Sequence, residues 1–409
     1  MDTLLDTDGQ HRLQAYFDGI GRLLKSDEGR ASFAVYAMGL LGEGERKSVE
    51  PICARAACDP TQVEAWQQRL GYFLNDSTWS DRAVRLHAAR YGLAALQAGE
   101  AVSTWILDDT GFPKQGKHSV GVQRQYTGTL GKIGNCQVGV SLSVCTPSEH
   151  LPVDFELYLP RSWTDDPKRR REARIPDDTV FRTKPELGLQ MLRRAVEDDL
   201  PRGMVLGDTG YGNSSRFRQG VRQLRLHFAL AVEPQTKVFR LDAPPGYEDI
   251  SVDVRTLGGV WAATPKAFRR VTWREGTARS LSARFVVRRV IPAHDDGTRP
   301  QEREPVWLIV EWPDDEPRPA KYYFAHAPST MSKKQLIRHL KERWRTERVY
   351  EDCKGELGLD HFEGRRFPGW HHHVSCVLVC YAFLVAQKAR RFSPPTRWTQ
   401  AHPSHRLAA

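Results

Sequence analysis

The chain is poor in cysteine, and its cysteines are not arranged for cross-linking. Cys53, Cys58, Cys136, Cys145, Cys353, Cys376 and Cys380 are odd in number, scattered, and form no Cys-x-x-Cys pair. That pattern argues against a disulfide scaffold and a zinc knot, and fits a reducing cytoplasm. Long hydrophobic runs are also missing. The longest, Val374 to Ala386, is broken by Ser375 and Tyr381 and falls short of the roughly 20 residues a membrane span needs. Met1 to Asp6 carry neither a basic start nor an apolar stretch, so no signal peptide is expected. No internal repeat occurs. Acidic residues are the minority charge, 50 Asp+Glu against 60 Lys+Arg, and the net charge of +10 weakly favours a polyanionic partner. At 409 residues and 40% hydrophobic, the chain can fill the cores of two or three domains.

Residues 1–95 read as helical. Leu13, Tyr16, Phe17 and Ile20 recur at helical spacing, as do Val63, Trp66, Leu70 and Phe73. Arg22, Lys25, Arg30, Arg46 and Lys47 scatter positive charge over this part, which suits either a solvated cap or a DNA-contacting module. From residue 96 to 233 the pattern turns to α/β. Val102 to Leu107 reads as a buried strand ending in Asp108 and Asp109, and Cys136 to Val144 as another. Between them a basic loop or hairpin carries Lys114, Lys117, His118, Arg124 and Lys132. Pro160 to Pro176 holds Lys168, Arg169, Arg170 and Arg171 and reads as a solvated surface loop. Glu186 to Leu200 reads as a helix, Met204 to Gly207 as a short buried strand ending in Asp208, Ser214 to Leu224 as a helix, and His227 to Val232 as a strand. Residues 234–329 break the alternation and read as a β-rich insertion, with strands expected at Phe285 to Ile291, Val306 to Glu311 and Tyr322 to Phe324. Residues 330–391 return to helix. Ser332 and Gln335 have capping-box spacing, and the helix they open is expected to run to about Leu357. A core helix follows at Trp370 to Arg390, then a frayed tail, 392–409.

Carboxylates thus leave two strand ends, at Asp108/Asp109 and Asp208. A third candidate, Glu347, lies on the predicted helix. At 100° per residue Arg343 and Glu347 stand about 40° apart, and Lys354 falls about 20° short of two turns beyond Glu347. A stripe of cation, carboxylate and cation results, which on an isolated helix would be an exposed salt-bridge ladder. Joined to the two strand-end carboxylates it suits another task. Hard divalent cations take oxygen ligands, and two such ions about 4 Å apart serve phosphodiester cleavage.

The motifs Asp108 to Lys114, Gly116 to Val122 and Gly131 to Val138, then Gly207 to Gly212, then Arg343 to Arg365, stand in the order of known transposase motifs. In these stretches the chain resembles insertion-sequence transposases of the DDE class, in the branch with a Tyr-x2-Arg-x3-Glu-x6-Lys signature. Arg343, Glu347 and Lys354 fit that spacing, while Leu340 stands at the tyrosine position. The resemblance covers roughly residues 35–390. It implies a ribonuclease-H-like core interrupted by the β-rich insertion, with an N-terminal helical domain. It also implies a catalytic triad, Asp108, Asp208 and Glu347, holding two Mg²⁺ (or Mn²⁺). The usual Asp-x-Thr form selects Asp108, with Thr110 supporting and Asp109 as the alternative; spacing to Arg343 and Lys354 selects Glu347 over Glu351. Arg343, Lys354, Lys114, Lys117 and Arg124 would bind DNA. The implied activity is cleavage of element ends and joining of the 3′-OH to target DNA by a dimer on DNA. A non-catalytic DNA-binding regulator and a related metal-dependent nuclease are the rival readings. His371, His372 and His373 point about 100° apart on a helix and cannot jointly chelate one ion. Trp261, Trp273, Tyr322 and Tyr323 are expected to pack in the insertion, although in relatives an aromatic there can stack on a flipped base.

Overall fold

A computed structural model describes residues 6–57, 59–264, 266–274, 280–293 and 304–392. Cys58 and the tail from 393 lie outside the described residues.

Five helices come first: α1 (Thr7–Gly21), α2 (Asp27–Leu41), α3 (Val49–Ala56), α4 (Val63–Asn75) and α5 (Asp81–Gln97). Asp6, Ser26 and Ser80 cap α1, α2 and α5 by accepting from the backbone N–H three residues on. The chain then enters a sheet with β1 (Thr104–Pro113), β2 (Gln123–Thr127), β3 (Lys132–Cys145) and β4 (His150–Tyr158). β3 pairs antiparallel with β1 along one side; β2 and β4 share its other side. The stretch 160–176, expected as a loop, forms short helices α6 (Arg161–Thr164) and α7 (Pro167–Ala173). Trp163 is buried and donates to the Val122 carbonyl (2.9 Å), and Arg170 donates to the carbonyls of Thr164, Pro176, Asp177 and Thr179. These long-range and local bonds make a charged run into a folded corner.

Helix α8 (Lys184–Glu197), opened by a Thr183–Glu186 capping box, leads to β5 (Met204–Gly207), α9 (Thr209–Gly212), α10 (Ser215–Gln223) and β6 (Phe228–Val232). β5 pairs parallel with β1, and β6 parallel with β5. The spatial order β4-β3-β1-β5-β6, three antiparallel strands followed by two parallel ones, is that of a ribonuclease-H-like core. These central strands read as near-continuous apolar runs because both faces are covered.

The insertion contains β7 (Lys237–Arg240), β8 (Val252–Asp253), α11 (Val254–Ala262), β9 (Arg269–Arg274), β10 (Leu281–Pro292), β11 (Val306–Trp312) and β12 (Lys321–His326). β12 pairs antiparallel with β6, so the insertion extends the core sheet to twelve strands among the described residues. The chain returns through α12 (Lys333–Leu340), α13 (Arg345–Gly355) and α14 (Phe367–Phe392). Ser332 and Gln335 form the expected capping box. The expected single helix to Leu357 is interrupted, however, by a 3-10 turn at Lys341–Trp344.

Two apolar clusters cover the two sheet faces. Trp105, Leu107 and Val205 face one that includes α14 and the N-terminal helices; Ile106 and Leu206 face a smaller one closed by Leu336, Ile337 and Leu340 of α12. α14 is longer than the apolar run within it. Over Phe367–Arg390 it is long and apolar enough to cross a membrane, yet 94% of its most apolar window is buried inside the protein. α2, α4 and α5 pack on it, so the N-terminal helices share the interior of the ribonuclease-H-like core. Cys53, Cys136, Cys145, Cys353, Cys376 and Cys380 are buried and free.

Candidate active site

Parallel pairing of β1 with β5 sets the centre of the site. Ile106 lies opposite Leu206, and two residues further along the chain stands a carboxylate in each case. Asp208 stands just past the end of β5. Asp108 lies inside β1, which runs on to Pro113 instead of ending at Leu107 as expected, because it stays paired with β3. Adjacent strands run about 4.8 Å apart, so the two acids leave the sheet side by side. Alternation turns Asp109 towards α8, where Lys184 Nζ meets its Oδ2 at 2.7 Å. One carboxylate oxygen from each of Asp108, Asp109 and Asp208 nevertheless falls within 4.8 Å of the others. Asp109, expected only as the alternative to Asp108, therefore stands beside it in the cluster.

This cluster is electrostatically uneasy. Burial pushes the Asp108 carboxyl up to about 7 against the pull of Arg343, and the neighbouring aspartates push the same way. Asp208 is raised by burial and by the Asp109 charge, against Arg343 and two backbone N–H groups. Arg343 bridges Asp108 (3.0 Å) and Glu347 (3.7 Å) from the 3-10 turn. Glu347 stands outside the tight acidic group, with its side chain 65% exposed. It lines a cavity of about 540 Å³ together with Asp208, Arg343, Lys341, Tyr323 and Trp273. Glu351 is exposed and pairs with Arg348 at 3.5 Å. Carboxylates gathered at this spacing, one of them with its ionised form disfavoured by burial, fit a divalent cation.

The expected DNA contacts divide. Lys117 and Arg124 are exposed. Lys114 Nζ instead donates to the Phe362 carbonyl (2.5 Å), and Lys354 Nζ to the Gly111 carbonyl (2.8 Å) and to Thr129 Oγ1 (3.3 Å). Both lysines thereby fasten the 350–365 segment to the end of β1. Lys47 is likewise no surface charge: it is buried and donates to the Leu40 and Gly42 carbonyls (2.6 and 2.7 Å). Thr110 is buried, with Oγ1 3.4 Å from that of Thr129. Leu340, at the tyrosine position of the signature, packs in the α12 cluster.

The three histidines are fasteners, each with its own partners. His371 Nε2 lies 3.4 Å from Glu156 Oε2, His372 meets the Leu74 and Trp79 carbonyls, and His373 lies between Tyr36 Oη (2.7 Å) and the Leu359 carbonyl. Trp261 and Tyr322 are buried in the insertion as expected. Sequence reasoning missed Lys184, although the Thr183-x-x-Glu186 spacing marks the helix start that aims it. Glu311 and Lys341 were missed as well, and no local signal announces them.

Over residues 21–280 the chain matches the DDE superfamily endonuclease family, and over residues 182–383 the transposase DDE domain. A relative from Microchaete diplosiphon, described as a "probable transposase for insertion sequence element IS701", is 24% identical over 363 residues, 88% of this chain and 84% of that protein. A solved piggyBac transposase synaptic complex with hairpin DNA aligns over 91% of this chain and 74% of that one, with 10% identity and a TM-score of 0.43. The acidic cluster and these matches agree: the chain belongs to the DDE superfamily endonucleases, as an insertion-sequence DDE transposase.

Proposed function

We propose that the chain cleaves the ends of an insertion sequence and joins the freed 3′-OH to target DNA. The observation that carries this reading is the convergence of Asp108 and Asp109, within β1, with Asp208, just past the end of β5. Asp108, Asp208 and Glu347 would hold two Mg²⁺ or Mn²⁺ ions, with Asp109 as a further ligand. When bound, such ions act as Lewis acids that favour the attacking oxygen and stabilise the leaving one.

The chain's own residues do the rest. Arg343, already at the carboxylates, is placed to hold a phosphate oxygen of the scissile strand. Lys184 holds Asp109 on the α8 side. Lys117 and Arg124 present positive charge to the backbone beyond the site. In cleavage, water oxygen attacks phosphorus and the 3′ oxygen leaves, taking a proton. In joining, that 3′-OH attacks a target phosphodiester, and the target's own 3′ oxygen leaves. Two ends are brought together by a dimer on DNA, acting in the cytoplasm at the nucleoid. The regulator reading loses ground because none of the three carboxylates, Asp108, Asp208 and Glu347, is substituted in the sequence.

The test is nicking of labelled element ends with Mg²⁺. Asp208→Ala is expected to lose at least about 1000-fold in rate, roughly 4 kcal/mol of transition-state stabilisation. Cleavage by Asp208→Ala at the wild-type rate would sink the assignment.

A further inference from the structure

Glu311 is the most deeply buried carboxylate beside the cavity, 2% exposed, and it belongs to the insertion. It lies on β11, opposite Lys321 of β12. Both its oxygens accept from Lys341 Nζ, at 2.8 and 3.0 Å, and Oε2 also accepts from Tyr323 Oη at 2.9 Å. Lys341 Nζ lies 4.4 Å from the centre of the Trp273 ring, so the cation is held on two sides by the insertion. Lys341 is also the first residue of the 3-10 turn that separates α12 from α13. Two residues on, Arg343 reaches Asp108 at 3.0 Å, and four further on stands Glu347. A 3-10 turn in the middle of a helical run often marks a hinge or local strain. Here the turn begins at the residue held by an ion pair to a different part of the chain.

We propose that Glu311 is a positioning residue: through Lys341 it sets the turn that carries Arg343 against Asp108, so the insertion sheet fixes the geometry of that contact in the acidic site. The inference rests on the proposed reading of that site as the centre of DNA cleavage. Arg343 near Asp108 repels a divalent cation while holding the site's shape. Loosening its tether has opposite effects on metal binding and on rate. A general folding defect lowers both.

Mn²⁺ titration by electron paramagnetic resonance, on the full chain without DNA, is paired with single-turnover end cleavage at saturating DNA. Glu311→Gln is expected to slow cleavage roughly 10- to 100-fold through misplacement of the turn. The same variant is expected to bind Mn²⁺ about twofold or more tightly as Arg343 withdraws its charge. Arg343→Ala should do likewise, and adding Glu311→Gln to it should change neither readout further. If the losses multiply, or if Mn²⁺ affinity falls together with rate, the proposal is overturned. Should Glu311→Gln fail to fold, the double variant Glu311→Met with Lys341→Met removes the buried pair without stranding a charge. It should fold and stay slow; cleavage at the wild-type rate would overturn the proposal. A wild type that cuts no DNA while the Mn²⁺ changes persist would overturn the cleavage reading and uphold the positioning role.

Discussion

Two clusters of buried charge lie in this molecule, and they are built in opposite ways. In one, Arg85 and Arg194 meet Asp81, Asp154 and Glu156. Arg194 Nη2 stands 2.7 Å from both Asp154 and Glu156, and Arg85 stands 2.6 Å from Asp81 and 3.1 Å from Asp154. Despite burial, the Glu156 carboxyl is held well below the carboxylate range by His371 and the two arginines, and the Arg194 guanidinium is held above its usual value by the acids. In the other cluster, Asp108, Asp109 and Asp208 share Arg343 and Lys184, and burial pushes Asp108 up to about 7. Each cluster sets two cations against three carboxylates, but in the first each arginine reaches at least two of the acids, and the cluster binds α5, β4, α8 and α14 together. In the second, Arg343 meets Asp108 and Lys184 meets Asp109, and no ion pair reaches Asp208 among the described residues. Strength of burial is alike in both, so the pairing of the acids, not the count of charges, distinguishes a fastening from a site that takes a cation.

That contrast can be broken at either cluster. The largest stability effect is expected for Arg194→Met, which strands Asp154 and Glu156. It should cost about 3–5 kcal/mol of folding stability, read by urea unfolding, while the rate per folded molecule stays at the wild-type level. Because the Glu156 carboxyl is depressed in the fold, its contribution is present above the ordinary carboxylate pKa and is lost as pH falls.

At the acidic site the sign reverses. A carboxyl raised to about 7 favours the fold at low pH, and that contribution is lost between about pH 4 and pH 7. Asp108→Asn is therefore expected to raise the metal-free melting temperature at pH 8, on the order of 2 °C. Mg²⁺ should stabilise the wild type more than this variant. A lowered melting temperature without metal would place Asp108 with the fastenings. The smallest effect is expected for Glu351→Gln, an exposed residue paired with Arg348. It should change stability by under about 0.5 kcal/mol and leave end cleavage within about twofold. A large loss there would move the third carboxylate from Glu347 to Glu351.

The acids were legible in the sequence because they follow apolar runs, a local pattern. Met204 to Gly207 is the observed β5 and Asp208 follows its end, but β1 runs past Leu107 to Pro113, held by its pairing with β3, so Asp108 lies inside its strand. The insertion was legible as a change of rhythm, and Ser332 as a cap. Three features were hidden because their causes lie far along the chain. Lys354 and Lys114 look like surface cations until the 350–365 segment folds onto β1. The break at Lys341–Trp344 coincides with the tie between Lys341 and Glu311, thirty residues upstream. Strand alternation turns Asp109 away from Asp108, yet one oxygen of each lies within 4.8 Å of the other and of Asp208.

Calorimetric titration of Mn²⁺ into the wild type and into Asp208→Asn, at pH 7.5 and without DNA, tests the central claim most directly. Binding in the wild type that is weakened at least about tenfold in Asp208→Asn is the expected result, a change of about 1.4 kcal/mol. Equal binding by both proteins, or none by either, would contradict it.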